Sequence, residues 1–509
     1  IFFSVPSSFS TNPKLFSNPR LMGYYYAPII RLFGEKEAWL HIFNLPFSLL
    51  AISSMFFISL RFTGKSLLPT LWLVVSPAFI IMSHSIMLDI PLLGFFLFSM
   101  IVFINGIDSS NNKLLLLSGV LAGITILIKY SGLLLIPLML IYALLFSKKR
   151  CSFLFLFIPL AIFFLWGAHN LICYKKFGFT QVLGMRLNLW SWQVIAHRML
   201  ACFSFISGTS IAGLFIVPFL LRNKSNFCLF LISLPVCLCF FLCKDIFSEY
   251  SILEKSFLLL FFVASVFLTL TMFKTIFLFF LKKTRDKDKL FLSLWFIMLL
   301  FFTIFIQFVA ARFVLLLFPP LFLYLHNELV DFKAHSSNFF KKMVIFSISI
   351  TFIISTVLAV GDYFFAEIYR NFTRFLKEES FVNKKIYFCP QAYSYYDAWG
   401  YAYYLNKYYP EKENYKIIKS LDKIDGDVFF VSPSNLTLPI GFEDKCTADN
   451  STIRKILIAQ YNYDNNVIMH NMKYQAGFYS DDWGLLPFRV SLQGKTIERF
   501  SIYKLIPNG

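Results

Sequence analysis

Between residues 38 and 365 the chain returns again and again to apolar runs of about 18 residues or more, separated by short polar loops. A run of that length crosses a hydrocarbon layer only as a helix, because no water is there to satisfy an open backbone. This feature leaves one architecture for most of the length, a polytopic α-helical membrane protein. Composition agrees: 58% of residues are hydrophobic, 15% are charged and 66 are Phe, where a soluble domain carries roughly 25% charge. About twelve spans are expected, at 38–60, 66–82, 90–107, 113–128, 131–147, 152–172, 199–221, 226–243, 256–281, 290–309, 313–327 and 343–363.

The net charge of +19 lies in the short loops and forms no basic patch with interleaved aromatics, which excludes nucleic-acid binding and points to membrane orientation. If residues 1–37 are exterior, then Arg61 with Lys65, Lys113, Lys148 to Arg150, Arg222 with Lys224, the 282–289 cluster and Lys333 to Lys342 share one side. The positive-inside rule makes that side cytoplasmic. Loop 173–198, with Trp190 and Trp192, and everything after residue 365 then face outside.

Three segments follow: a first exterior loop at 1–37, a transmembrane domain at 38–365, and an exterior soluble α/β domain at 366–509. In the last, "KIYFC", "DVFFVSP" and "RFSIYKL" read as strands around a helical "YYDAWGYAYYLNKYY". Seven of the nine cysteines lie in or beside apolar runs without C-x-x-C spacing; only Cys389 and Cys446 suit a disulfide in a soluble part. Asn371, Asn435 and Asn450 open glycosylation sequons, which matter only in a eukaryote.

The chemistry-bearing residues stand at the exterior ends of spans. Asp89, in "SHSIMLDIP", suits a helix N-terminus, where the macrodipole favours a carboxylate and Pro91 fits the first turn. Ionisable groups at a membrane edge are also functional by default. His84 on the same loop and His41 at the start of the preceding span converge on it. Lys129 in "ILIKYSGLLLIP" and Arg312 in "QFVAARFVLLLFPP" are cations on the side where the positive-inside rule disfavours them. They either reach to the headgroups or grip the phosphate of a lipid-linked substrate, as a point charge and a fork respectively. Lys274, near a cytoplasmic end, reads as a side chain reaching for headgroups. His169-Asn170 closes another span, as a cap or as part of the pocket.

These stretches, in this order, resemble the dolichyl-phosphate-mannose-protein mannosyltransferase-like family of polytopic GT-C glycosyltransferases, which includes aminoarabinose transferases. "NPRLMGYYYAPIIRLFGEKEAWLHIFNLPFSLLA" is similar to the family's first exterior loop, with Asn18-Pro19-Arg20 where the family has His-Pro-Pro. "SHSIMLDIPLLGFF", "ILIKYSGLLLIPL" and "ARFVLLLFPPLFLY" are similar to its second acidic loop, its Leu-Thr-Lys segment and its late Arg-Tyr segment. The resemblance covers 12–325 and extends weakly to "AWGYAYYL" and "GFYSDDWGLLPF". It implies inverting transfer of a sugar from a polyprenyl-phosphate donor to a hydroxyl of a protein or lipid acceptor. Asp89 is then the second acidic residue and Lys129 and Arg312 hold the donor phosphate, with His41, His84, His169 and Asn170 in the pocket. The family's principal acidic residue is expected upstream of a truncated start, and Glu35 and Glu37 do not replace it.

No cofactor is firmly implied; a divalent metal near His41, His84 and Asp89 stays open, without a ligand spacing to support it. A bacterial cytoplasmic membrane is favoured over the endoplasmic reticulum, with the site facing outside. The rival from another class is a transporter or lipid flippase that uses Asp89, Lys129 and Arg312 as a substrate path. A transporter would place its polar residues near midplane, whereas these cluster at one face. A receptor anchored by a dozen spans is a further rival that the span count disfavours.

Overall fold

The computed structural model describes residues 18–379 except 35, 65–66, 149, 176, 178, 181–190, 242–249, 306–307 and 332–337, and then 386–388, 415–417, 428–433, 453–471 and 474–507. The expected helix at 395–409, Cys389, Cys446, Asn435, Asn450, Glu35 and Trp190 lie outside the described residues.

The molecule is mostly helical. Among the described residues five helices are long and apolar enough to cross a membrane: Glu37–Thr63, Asp89–Asp108, Phe153–Cys173, Ile252–Phe280 and Asn338–Ala366. Trp192–Thr209 and Ile211–Leu220, bent by 82°, make a sixth if they are one span, and Asn112–Ile128, Tyr130–Phe146 and Val314–Val330 are shorter apolar helices. The run at 66–82 does not form one helix. It breaks at Ser76 into Leu68–Val75 and Pro77–His84. Pro77 disfavours the helical conformation at Ser76, whose ψ is 140°, and the Ser76 hydroxyl donates to Leu73 O at 2.7 Å while accepting from Phe79 N.

Asp89–Asp108 is the central helix, buried along most of its length, whereas Phe153–Cys173 and Asn338–Ala366 leave most of their apolar surface uncovered. Small residues let backbones approach, as helices do in lipid. A Cβ on Gly94 would stand 2.9 Å from Phe47 O, so Asp89–Asp108 and Glu37–Thr63 touch backbone to backbone. Trp72, Phe96, Phe103, Tyr142, Phe291 and Trp295 fill the interior.

At one end of the central helix Asp108 accepts from Arg61 Nε at 2.8 Å and from Tyr142 Oη at 3.0 Å, and Arg61 reaches Asp288 at 3.4 Å. Asp89 opens the other end, about 28 Å away for a helix of this length. Lys274 donates to Asn226 Oδ1 at 2.7 Å, so it is fixed to a neighbouring helix instead of reaching for headgroups.

The C-terminal part holds β1 (Ile386–Phe388), β2 (Tyr415–Ile417), β3 (Val428–Pro433), β4 (Ile453–Ile468), β5 (His470–Asn471), β6 (Ala476–Gly477) and β7 (Arg489–Pro507). The main sheet has the order β2-β1-β3-β7-β4. β1 runs parallel to β2 and β3, and β7 runs antiparallel to β3 and β4. The three stretches expected as strands supply β1, β3 and part of β7. Helix Ile368–Glu378 buries Ile368, Phe372 and Leu376 against this sheet, with Phe372 stacked on Phe500 at 4.2 Å.

Between β5 and β7 the chain returns to the helical body. Phe478, Leu485 and Leu486 join the same apolar core as the helices, Pro487 fits against Gly208, and Leu485 N donates to Tyr250 Oη at 2.8 Å. Gly484 turns the segment at φ 153°, where a Cβ would meet Gln475 O at 2.1 Å, a conformation that only glycine adopts readily.

Candidate functional site

The site grows from helix ends. Asp89 sits in the first turn of its helix, where unpaired amides favour a negative charge. Lys129 caps the C-terminus of Asn112–Ile128, in extended conformation, where the dipole favours a cation. The two meet: Lys129 Nζ lies 2.8 Å from Asp89 Oδ1, with side chains 17% and 6% exposed. A pair this buried is held by its geometry, and loss of one partner strands the other charge. Lys129 was open between headgroups and phosphate on sequence alone; its partner within the protein is the acidic residue 40 positions earlier.

Arg312 joins through an aromatic ring. Lys129 Nζ stands 4.4 Å from the Phe313 ring centroid and Arg312 Cζ stands 5.1 Å from it. Both cations therefore flank one π-face system. Arg312 Nη1 donates to Met87 Sδ at 2.8 Å, a weak acceptor, and its buried Nε has no hydrogen-bond partner among the described residues. This guanidinium keeps donor capacity for a ligand.

The loop that carries Met87 and Asp89 is pinned from below. Tyr26 Oη donates to Asn44 Oδ1 at 2.9 Å, and Asn44 Nδ2 donates to Ser85 O at 3.1 Å. Tyr25 Oη donates to Phe43 O at 2.8 Å. The tyrosines of "MGYYY" thus support the acidic loop, a role the sequence did not reveal.

His84 Nδ1 bonds Ile80 O at 2.7 Å, and His41 lies against the His84 backbone. His84 is in turn within electrostatic reach of Asp362. Asp362 accepts from Tyr479 Oη at 2.7 Å, and the Tyr479 ring lies 6.0 Å from Arg312 Cζ. Asp362 thus connects through Tyr479 to Arg312, and His84 lies within electrostatic reach of it. His169 and Asn170 are not part of these contacts: His169 is exposed and stacks on Trp166 at 5.5 Å, and Asn170 is buried. Among the described residues no three His, Cys, Asp or Glu side chains gather as a metal site would require.

Asp362 and Tyr479 escaped sequence reasoning, although Asp362 is the one acid in the apolar stretch 343–363. So did Asp481. Its backbone N donates to Val309 O at 2.8 Å, its Oδ1 accepts from Val309 N at 2.9 Å, and His197 Nε2 lies 3.2 Å from its carbonyl. Burial and then the Asp482 charge push the Asp481 carboxyl up to about 6, against the Val309 amide, His197 and Arg198. Burial likewise pushes the Tyr479 phenol well above its ordinary range, with Asp362 adding to the effect. Tyr479 is therefore a neutral hydrogen-bond donor.

Residues 17–169 match the family model of dolichyl-phosphate-mannose-protein mannosyltransferase. No curated protein and no solved structure matches the chain. The matched segment holds His41, His84, Asp89 and Lys129, ends at His169, and so stops before Asn170 and Arg312. Over residues 17–169 it bears out the resemblance, and it supports, at a coarse level, a mannosyltransferase-like glycosyltransferase of the GT-C type in a multi-pass membrane setting.

Proposed function

We propose that the protein transfers a sugar from a polyprenyl-phosphate-linked donor to a hydroxyl of a protein or lipid acceptor, with inversion, on the exterior face of a membrane crossed by about twelve spans. Residues 38–365 would form the transmembrane domain and residues 366–509 the exterior unit. The observation that carries this reading is the gathering of Lys129, with Asp89 paired to it, and Arg312 around Phe313 at one end of the helical body.

In the reaction the acceptor oxygen bonds to the anomeric carbon as that carbon's bond to the phosphate oxygen breaks. The hydroxyl proton passes to a carboxylate, and the electron pair departs with the polyprenyl phosphate. Lys129 and the unspent donors of Arg312 stabilise charge growing on that phosphate. Asp89 keeps the Lys129 ammonium aimed at the pocket and assists on the acceptor side. The ammonium has three donors, so it can hold Asp89 and a phosphate oxygen together.

The test is transfer of radiolabelled sugar from polyprenyl-phosphate donors by the purified full-length protein. Transfer that depends on the phosphate-linked lipid supports the reading. Substrate flux across vesicles without any transfer would instead favour a transporter.

A further inference from the structure

The charged groups near this end of the central helix differ in how far they are already occupied. Asp89 is engaged by Lys129 at 2.8 Å. Asp362 is not: among the described residues it makes no ion pair with a Lys or Arg, and its hydrogen-bond partner is the neutral Tyr479 phenol at 2.7 Å. An ionised carboxylate offers about four acceptor positions, so this one retains capacity for further hydroxyl groups. Its place is also tightly set. A Cβ on the adjacent Gly361 would stand 2.4 Å from Val467 Cβ, and Asn465 Nδ2 donates to Gly361 O at 3.2 Å. Tyr463 Oη donates to Phe364 O on the following turn. Strand β4 therefore grips the end of helix Asn338–Ala366 on both sides of Asp362, while Tyr479 reaches the carboxylate itself from the β6 side.

We infer that Asp362 is an acceptor-binding residue, its carboxylate receiving a hydrogen bond from the hydroxyl that is to be glycosylated, and that Tyr479 is a positioning residue that holds this carboxylate in the pocket beside Arg312. The inference rests on the glycosyltransferase reading above. Asp362 stands apart from the Asp89–Lys129 pair, hydrogen-bonded to Tyr479 and within electrostatic reach of His84, so the acceptor hydroxyl has a carboxylate besides Asp89. It follows that the C-terminal unit is part of the site. It delivers Tyr479 directly and fixes Asp362 through β4, so the soluble part and the bundle must dock before an acceptor can bind.

The experiment uses the purified full-length protein, radiolabelled polyprenyl-phosphate mannose as donor, and two hydroxyl probes as acceptors, a Ser/Thr-containing peptide and an alkyl glycoside. Asp362→Asn is expected to lower kcat/KM for the acceptor about 100-fold, the range of a positioned polar group at a reacting hydroxyl, with donor KM unchanged. Tyr479→Phe keeps the ring beside Arg312 and removes one oxygen. It is expected to raise acceptor KM about tenfold, the scale of one hydrogen bond to a charged group, with the thermal melt unchanged. Wild-type transfer with acceptor KM unaltered in both variants would overturn the inference and leave the glycosyltransferase reading standing. A lowered melt with wild-type kinetics per folded molecule would also overturn it, by reducing the pair to a docking contact. No transfer by the wild type with either probe would remove the reading on which it rests. Where Asp362→Asn does not fold, the milder Tyr479→Phe decides.

Discussion

The two ends of the central helix Asp89–Asp108 carry similar chemical groups and use them differently. At the Asp108 end the Arg61 guanidinium is spent on protein: Nε on Asp108, Nη1 on Asp288 and Nη2 on Tyr142. At the Asp89 end Arg312 meets a thioether and two aromatic rings, with its Nε unpartnered among the described residues. Charge closed within the protein serves the fold. Charge left facing weak acceptors is poised for a ligand, which is why the proposed site lies at the Asp89 end although both ends are rich in ionisable residues.

Substitutions at the two ends should therefore separate activity from stability. The largest effect is expected for Asp89→Asn, which lowers turnover per folded molecule at least about a hundredfold and, by leaving the Lys129 ammonium without its carboxylate, also costs about 3 kcal/mol of stability. Steady-state transfer and thermal melts of the same preparations check this. Arg61→Ala should cost stability alone. Its side chain is 27% exposed and its acidic partners are 37% exposed, so solvent screening limits the loss to about 1–2 kcal/mol, with turnover per folded molecule unchanged. An Arg61 variant that folds normally and loses transfer would break the contrast between the ends.

Lys129→Ala leaves Asp89 buried without its cation, at a cost of about 3–5 kcal/mol, and Lys129→Ala with Asp89→Asn should recover most of it. A double variant no more stable than the single one would show that the pair is not the reason for the loss. Arg312→Lys keeps charge and removes the fork, so donor KM should rise about tenfold with the melt unchanged. Equal donor KM would assign Arg312 to packing on Phe313 and Tyr479.

The smallest effect concerns docking of the β6 to β7 segment. Asp481 is lifted to about 6 by burial, above its unfolded value near 3.8, so the folded state holds its proton longer than the unfolded one. The stability this contributes is complete below about pH 4 and is lost as pH rises through 6. Melting should fall by about 2–4 °C between pH 5 and 7, and Asp481→Asn should remove that step. An unchanged step in the variant would assign the pH dependence to other groups.

Much of this arrangement was legible in the sequence because it is local. Apolar run length announced five long apolar helices, whereas the run at 66–82 reads as one span but breaks at Ser76-Pro77, and the strand patterns marked β1, β3 and part of β7. Asp89, Lys129 and Arg312 stood out because charge at the ends of apolar runs is rare. Their mutual contacts were not legible, since a hydropathy pattern says that a residue is near an interface and not which neighbour it meets there. Tyr479 and Asp362 lie 117 residues apart and belong to what reads as two separate domains. The return of residues 474–489 into the helical core and the grip of β4 on the end of Asn338–Ala366 join them, and the return depends on Gly484 and on the Asp481 contacts with Val309, which carry no periodic signal.

The most direct measurement is radiolabelled transfer from polyprenyl-phosphate mannose by the full-length wild type and by Asp89→Asn and Arg61→Ala, each normalised to folded protein. The expected result is transfer by the wild type and by Arg61→Ala at similar rates, and loss of about a hundredfold or more in Asp89→Asn. Equal transfer by Asp89→Asn and the wild type would contradict the assignment of the reaction to the Asp89 end of the helix.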